Sequence, residues 1–170
     1  MFLKKIFFFI LTFFRVIYLF ESKKNKNIIN YKHIELKKFK SKKLIKSPII
    51  LEYLKKDNKK DRFYNDQILF VLFYKKKIVS FGWMHEGSNW VITEINKKIT
   101  IKNSIFLFDF FTLPNFRNKG FYTKILNLIK NKKTNKLFYI YCLQNNKKST
   151  KGILNANFIL KNKITRLKNV

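Results

Sequence analysis

Past residue 30 the chain is written as short apolar runs separated by lysine and asparagine, and the period inside each run assigns an element. HIELKKFK, residues 33 to 40, alternates and predicts a first strand. Ser47-Pro48 ahead of IILEYLKK has the form of an N-cap with proline in the first helical turn, which predicts a helix to about Lys56. Two β-rich runs, 67 to 73 and 78 to 85, joined by lysines predict an antiparallel hairpin. Residues 87 to 103 alternate without a clear end and are expected to be loop with room for one short strand. SIFLFDFFTL, residues 104 to 113, predicts a buried strand carrying one charge, Asp109. A helix is expected from about Lys119 to Lys130, a second buried strand over 136 to 144, a short helix over about 146 to 155, and then two strands joined at Lys161 to Lys163. This order predicts an α/β protein, a mixed central sheet flanked by helices, rather than a bundle or a sandwich.

The opening segment breaks this rhythm. Basic residues lead into an apolar run from Ile6 to Phe14, then Arg15, VIYLF, and Lys23, Lys24 and Lys26. It has no small-residue cleavage site, and the only alanine of the chain is Ala156, so a cleaved signal peptide is not expected. Ile6 to Phe20 falls short of the ~20 apolar residues that span a bilayer, and Arg15 near its centre would cost roughly 2.5–3.5 kcal/mol. Residues 1–30 are therefore expected to be a separate unit whose helix lies on a membrane face, docks on the domain or spans, with residues 31–170 as the domain proper. Any membrane contact would run through residues 1–27. The lysines after Phe20 would hold the rest inside, so the expected location is the cytoplasm or the inner face of the membrane.

At 170 residues and 46% hydrophobic, the chain has room for one domain with a proper core. A formal charge of +29 favours anionic partners of every kind. Only Arg15, Arg62, Arg117 and Arg166 are arginines, however, and the lysines are spread along the whole chain. Nucleic-acid sites gather arginine forks, so the pattern argues against a nucleic-acid partner. Cys142 is the only cysteine and lies far in sequence from His33 and His85, which predicts neither a disulfide framework nor a metal site.

LPNFRNKGFYTKILNLI, residues 113 to 129, contains Pro114 and Gly120 in a chain that has 2 prolines and 4 glycines. A buried strand that ends at Pro114, turns through NFRNK and opens a helix at Gly120 leaves backbone N–H groups unbonded at the helix N-terminus. The helix dipole favours an anion there, Gly120 lets it approach the backbone, and Arg117 and Lys119 add charge. An ordinary strand-to-helix turn would use the same proline and glycine only as punctuation.

The run from Asp109 to Tyr122, D-F-F-T-L-P-N-F-R-N-K-G-F-Y, resembles the acyl-CoA-binding motif of the GNAT superfamily of N-acetyltransferases. In that motif a strand and a hydrophobic-x-Pro step lead into Arg/Gln-x-x-Gly-x-Gly/Ala at the start of a helix. Arg117, Asn118, Lys119, Gly120, Phe121 and Tyr122 stand in those places, with Tyr122 replacing the small last residue. The tail from Asn146 to Phe158 resembles the later stretch Asn-x-x-Ser, helix, Gly-Phe, with Asn157 in place of the glycine. The resemblance covers residues 31–170 and implies a GNAT-like acyl-CoA N-acyltransferase fold with acetyl-CoA as co-substrate and no metal. It further implies that residues 117–122 cradle the diphosphate, and that Phe111, Thr112 and Asn146 also contact the cofactor.

Moving an acetyl group from a thioester to a primary amine needs a deprotonated amine, a donor for the developing oxyanion and a proton for the departing thiolate. The resemblance implies an oxyanion donor among the backbone N–H groups near Phe110 to Thr112. Asp109 on that strand, and His85 or Glu86 at the end of the preceding hairpin, are the candidate catalytic bases. Asp109 could instead pair with a basic side chain, and His85 and Glu86 could be solvated loop residues. Ile153 stands where many GNAT enzymes carry a proton-donating tyrosine. Tyr139 or Tyr141, solvent, or no donor at all remain open, and both tyrosines, alternating along a strand, are expected to be core packing. Trp83 is expected in the core and Trp90 at an exposed position, able to stack on an acceptor ring. Three functions follow. One is an N-acetyltransferase on a small-molecule amine, an amino sugar among the candidates. The second is an acyl-CoA binder of the same fold with little turnover. The third is a basic membrane- or nucleic-acid-associated protein with an accidental glycine turn.

Overall fold

The computed structural model describes residue 12 and residues 14–22, 30–131 and 136–167. Its strands are β1 (Ile17–Ser22), β2 (Ile34–Phe39), β3 (Ile68–Tyr74), β4 (Lys77–Glu86), β5 (Asn89–Ile92), β6 (Lys97–Thr100), β7 (Ser104–Thr112), β8 (Leu137–Leu143) and β9 (Ile159–Ile164). Its α-helices are α1 (Pro48–Lys55), α2 (Phe121–Lys130) and α3 (Lys147–Asn155). Seven strands form one sheet in the order β2-β3-β4-β7-β8-β1-β9, and β5 and β6 form a separate hairpin.

Apolar spacing decides which element covers which face. Phe121, Ile125, Leu126 and Ile129 make one stripe of α2 and bury against Met84, Leu107 and Ile140 of the sheet, with Ile153 of α3 beside them. On the other face, Ile50 and Leu54 of α1, one turn apart, pack on Leu69, Phe81, Trp83 and Phe108. The β5–β6 segment adds Ile92, Ile95 and Ile99 against Leu19, Phe106 and Tyr139. Side chains alternate along β7, with Leu107 under the helices and Phe106 and Phe108 on the opposite side. The result is a mixed sheet with helices on both faces, as the order of sequence elements predicts.

Three expectations are corrected. Ile17–Ser22, expected within a membrane-associated or docked helix, is instead strand β1, antiparallel to both β8 and β9, with Ile17, Leu19 and Phe20 buried. An interior strand covered on both faces reads as a continuous apolar run, and periodicity cannot separate such a run from a helix. The expected unit boundary at residue 30 therefore does not hold for Ile17–Ser22. The membrane reading of residues 1–11 falls outside the described residues, and no helix among the described residues is long and apolar enough to cross a membrane. At the other end, two strands joined at Lys161 to Lys163 are replaced by the single β9, because β1 occupies the place beside β8. Residues 87 to 103, expected as loop with one short strand, hold the hairpin β5–β6, paired from Asn89↔Thr100 to Ile92↔Lys97.

β1 is also held by a buried cation. Lys130 Nζ donates to Ser22 Oγ at 3.0 Å and to the Ala156 carbonyl, and lies over the Phe158 ring. Burial pushes its ammonium down to about 8 from 10.5. Because the folded value is depressed, the unfolded chain binds more protons between those two values, and stability should rise with pH across that window. Denaturant midpoints measured across it should show the rise, and Lys130→Met should flatten it.

Candidate active site

β7 and β8 run parallel and pair only from Ser104↔Leu137 to Leu107↔Ile140. Beyond that point β7 stays bonded to β4 on its other edge as far as Thr112, so the two parallel strands fork. A β-bulge bends β7 at the fork, where Asp109 and Phe110 together oppose the single residue Gly82. Asp109 has φ 49, and the Phe110 ring fills the place a Cβ on Gly82 would need. The Leu113 N–H donates to the Val79 carbonyl at 3.0 Å, on the β4 side. Alternation along the strand turns the N–H and C=O of Thr112 to the open edge.

The chain then turns into α2. Gly120 is its N-cap, with φ 74, no side-chain cap, and nothing within 4 Å of where a Cβ would stand. The Lys124 N–H donates to the Gly120 carbonyl at 3.0 Å, closing the first helical turn and leaving the amides of Phe121, Tyr122 and Thr123 without helical partners. Arg117 and Lys119 are exposed beside this end and held by their own loop. Arg117 Nε donates to the Thr112 carbonyl at 3.1 Å, and Lys119 Nζ to the Asn115 carbonyl at 3.1 Å. Asn118 also has a positive φ of 60, which asparagine tolerates. This backbone fits a diphosphate, since it offers unbonded amides, an open approach and two cations able to swing onto the ligand.

The departures from the motif have local explanations. Tyr122 turns its ring away from the helix end onto Gly152 of α3, 5.7 Å from the Phe110 ring, and burial raises its phenol pKa. Its amide stays clear, while the ring fills the α3 side of the fork. Phe121 is a core residue, and Phe111 lies half-exposed beneath the Arg117 guanidinium, 5.5 Å away. Asn146 Oδ1 accepts from the Ser149 N–H at 3.1 Å, so the Asn-x-x-Ser pattern caps α3. Asn157 replaces glycine at φ 59, and Phe158 behind it is buried.

On the face away from α2 and α3 a cavity of about 620 Å³ opens at the fork. Phe108 and Tyr141, the first residue of each strand past the last parallel pair, both line it. His85 and Asp109 line it too. Glu86, next to His85 on the pleated strand, projects to the other side and pairs with Lys136 Nζ at 2.6 Å. The three candidate bases are thus separated: two reach the cavity and one is engaged elsewhere.

Electrostatics separates the remaining two. Asp109 Oδ2 accepts from the Tyr53 hydroxyl at 2.7 Å and from Arg62 Nη1 at 2.7 Å, with Lys59 Nζ at 3.3 Å. Burial alone would raise its pKa, but the bonds from Tyr53 and Arg62 and the charges of Arg62 and Lys59 outweigh that and hold it below the usual carboxylate range. Asp109 is therefore a fixed anion, a poor base. His85 is lowered by burial, against weaker opposing effects of the Asn89 backbone and Asp66, so its imidazole is neutral at neutral pH. Its Nδ1 is buried without a hydrogen-bond partner. Burial and the Glu94 carboxylate raise Tyr141 and keep its phenol protonated. Tyr139 donates instead to Glu21 Oε2 at 2.6 Å.

Trp83 is buried, with Nε1 donating to the Tyr53 hydroxyl at 3.0 Å. Trp90, expected at an exposed position, is half-buried in the cavity wall and stacks on Phe106, with ring centroids 5.6 Å apart and planes at 16°. Sequence reasoning did not single out Arg62, Gln67 or Glu94, all of which line the cavity. Arg62 did carry a signal, because one of 4 arginines in so lysine-rich a chain marks a place where a planar fork is needed.

The forked mixed sheet with an uncapped helix at its mouth has the same fold as solved structures of GNAT-family acetyltransferases. Solved structures of the same fold include one from Novosphingobium aromaticivorans assigned to the GNAT acetyltransferases, with a TM-score of 0.54 and 7% identity over 88% of this chain and 61% of that one. A GNAT-family acetyltransferase from Colwellia psychrerythraea has a TM-score of 0.54 and 12% identity over 86% of this chain and 53% of that one. A conserved protein of unknown function from Staphylococcus epidermidis has a TM-score of 0.54 and 12% identity, covering 88% and 59%. This chain thus spans 53–61% of the length of these three proteins. No family model and no curated protein matches its sequence.

Proposed function

We propose that the protein is an N-acetyltransferase that moves an acetyl group from acetyl-CoA to a primary amine. The observation that carries this reading is the fork: the sheet parts between an uncapped helix N-terminus on one side and a polar cavity on the other. The amides at the start of α2, with Arg117 and Lys119, would hold the diphosphate. The open edge of β7 near Thr112 would receive the pantetheine arm and offer N–H groups to the developing oxyanion. The acceptor amine enters from the cavity. His85, neutral and with an unpartnered nitrogen, takes the proton of the attacking ammonium, directly or through water. An amine holds its proton more tightly than this imidazole, which costs about 1.4 kcal/mol per pK unit. A difference of a few units fits within the roughly 16 kcal/mol barrier of an enzyme with ordinary turnover. Tyr141, held protonated beside Phe108 at the fork, passes a proton to the departing thiolate and regains one from the His85 imidazolium through water, which returns both groups to their starting state.

A second reading, binding of acyl-CoA with little turnover, is favoured by Ile153, which is fully buried in α3 and offers no proton. Thiol release from acetyl-CoA separates the two. Primary amines should elicit free thiol and a tertiary amine should not, whereas tight acetyl-CoA binding with no thiol released by any primary amine would favour the second reading. A reaction of this kind would run in the cytoplasm. Contact with a membrane face through residues 1–27 could not use Ile17, Leu19 or Phe20, which are buried in the sheet.

A further inference from the structure

Glu94 lines the fork cavity but has no part in the chemistry above. The chain has 9 acidic residues against 38 basic ones, yet Glu94 and Asp109 both line this cavity and Asp66 is close enough to act on the charge of His85. No lysine lines it. Arg62, the one lining cation among the described residues, is engaged by Asp109 at 2.7 Å and held over the rings of Trp83 and Phe108. The Glu94 carboxylate, half-buried beside the Tyr141 phenol, forms no ion pair among the described residues; it accepts from Thr93 Oγ1 at 3.2 Å, while Arg15 Nη1 donates to the Glu94 backbone carbonyl at 3.2 Å. In a protein of net charge +29 the cavity lining among the described residues holds two carboxylates against one guanidinium.

Its walls also carry polar atoms in search of partners. Gln67 Oε1, His85 Nδ1 and Trp90 Nε1 are buried without a hydrogen bond, and all three residues line the cavity. Trp90 stands near the Tyr141 phenol, but its N–H makes no bond of normal geometry there. Buried polar atoms are nearly always paired, so three unpaired ones around one cavity point to a ligand that brings both donors and acceptors.

We propose that this cavity is the acceptor site and that it takes a cationic primary amine bearing uncharged hydroxyl groups, of the amino-sugar class. The ammonium is drawn by Glu94, and the hydroxyls pair with Gln67 and Trp90. The assignment rests on the acyl-transfer reading. A phosphorylated amine would bring an anion to a cavity whose lining guanidinium, Arg62, is already paired with Asp109. A plain alkylamine would leave Gln67 and Trp90 without partners.

Calorimetric titration of the full chain with glucosamine, its phosphate ester and butylamine tests this, with acetyl-CoA binding measured on every variant. Glucosamine should bind about tenfold or more tightly than the other two, because a site built for hydrogen bonds rejects ligands that lack them. Glu94→Gln should weaken glucosamine by about tenfold with acetyl-CoA binding unchanged. Equal affinity for the three amines, preference for the phosphate ester, indifference to Glu94→Gln, or no amine binding in a protein that does bind acetyl-CoA would each overturn the assignment. A protein that binds glucosamine through Glu94 but not acetyl-CoA would keep the cavity assignment as a binding site and remove the acyl-transfer reading.

Discussion

A chain that begins at Lys23 is expected not to fold. β1 lies inside the sheet, and its loss removes Ile17, Leu19 and Phe20, which are 0%, 3% and 1% exposed. Each large apolar side chain lost from a core costs about 2–5 kcal/mol, and a domain's whole stability is roughly 5–15 kcal/mol. The loss also strips β9 of its only strand neighbour among the described residues, and Lys130 of its Ser22 partner. A chain that begins at Thr12 keeps every contact described for β1. Circular dichroism during heating should give a cooperative transition for the longer chain and none for the shorter. A cooperative transition in the shorter chain would mean that β1 is an addition to the fold rather than part of it.

His85→Gln is expected to lower kcat by about 10²–10⁴, the usual contribution of a positioned general base, while acetyl-CoA binds as before. Burial places the imidazole pKa below 6.5. On the proposed mechanism the neutral form is the base and predominates above that pKa, so kcat/KM of the wild type should be level near neutrality and fall as pH drops through it. That acid limb should be missing in His85→Gln. Glu86→Gln, a change in a residue paired with Lys136 on the other side of the sheet, should leave the rate nearly unchanged. A large loss in Glu86→Gln with little in His85→Gln would reverse the assignment.

How much of this was legible in the sequence depended on the range of the interaction concerned. The uncapped helix start was legible because proline and glycine are so scarce here that Pro114 and Gly120 stand out, and a helix start is a local event. The helices α1 and α2 were legible for the same reason, through an N-cap, a proline and an apolar stripe. The fork was not. It exists because β8 stops pairing with β7 after Ile140, and no residue near Leu107 announces where a distant strand will leave. β1 was hidden because burial on both faces erases the alternation that marks a strand. The role of Asp109 stayed ambiguous until Tyr53, Lys59 and Arg62, three residues from another part of the chain, were seen to hold it. Tyr122 departs from the small residue of the motif, and the space that accommodates its ring lies over Gly152, on a different helix.

The central claim is that the backbone at the start of α2 receives the diphosphate of an acyl-CoA. Thermal unfolding with and without acetyl-CoA tests it most directly, using wild type and Gly120→Trp. The wild type should be stabilised by ~2.7 kcal/mol at ligand about 100 times Kd. Gly120→Trp, which puts an indole into the open approach, should melt cooperatively on its own and gain nothing from the ligand. An unmoved wild-type transition at saturating acetyl-CoA, or a full shift in Gly120→Trp, would contradict the account.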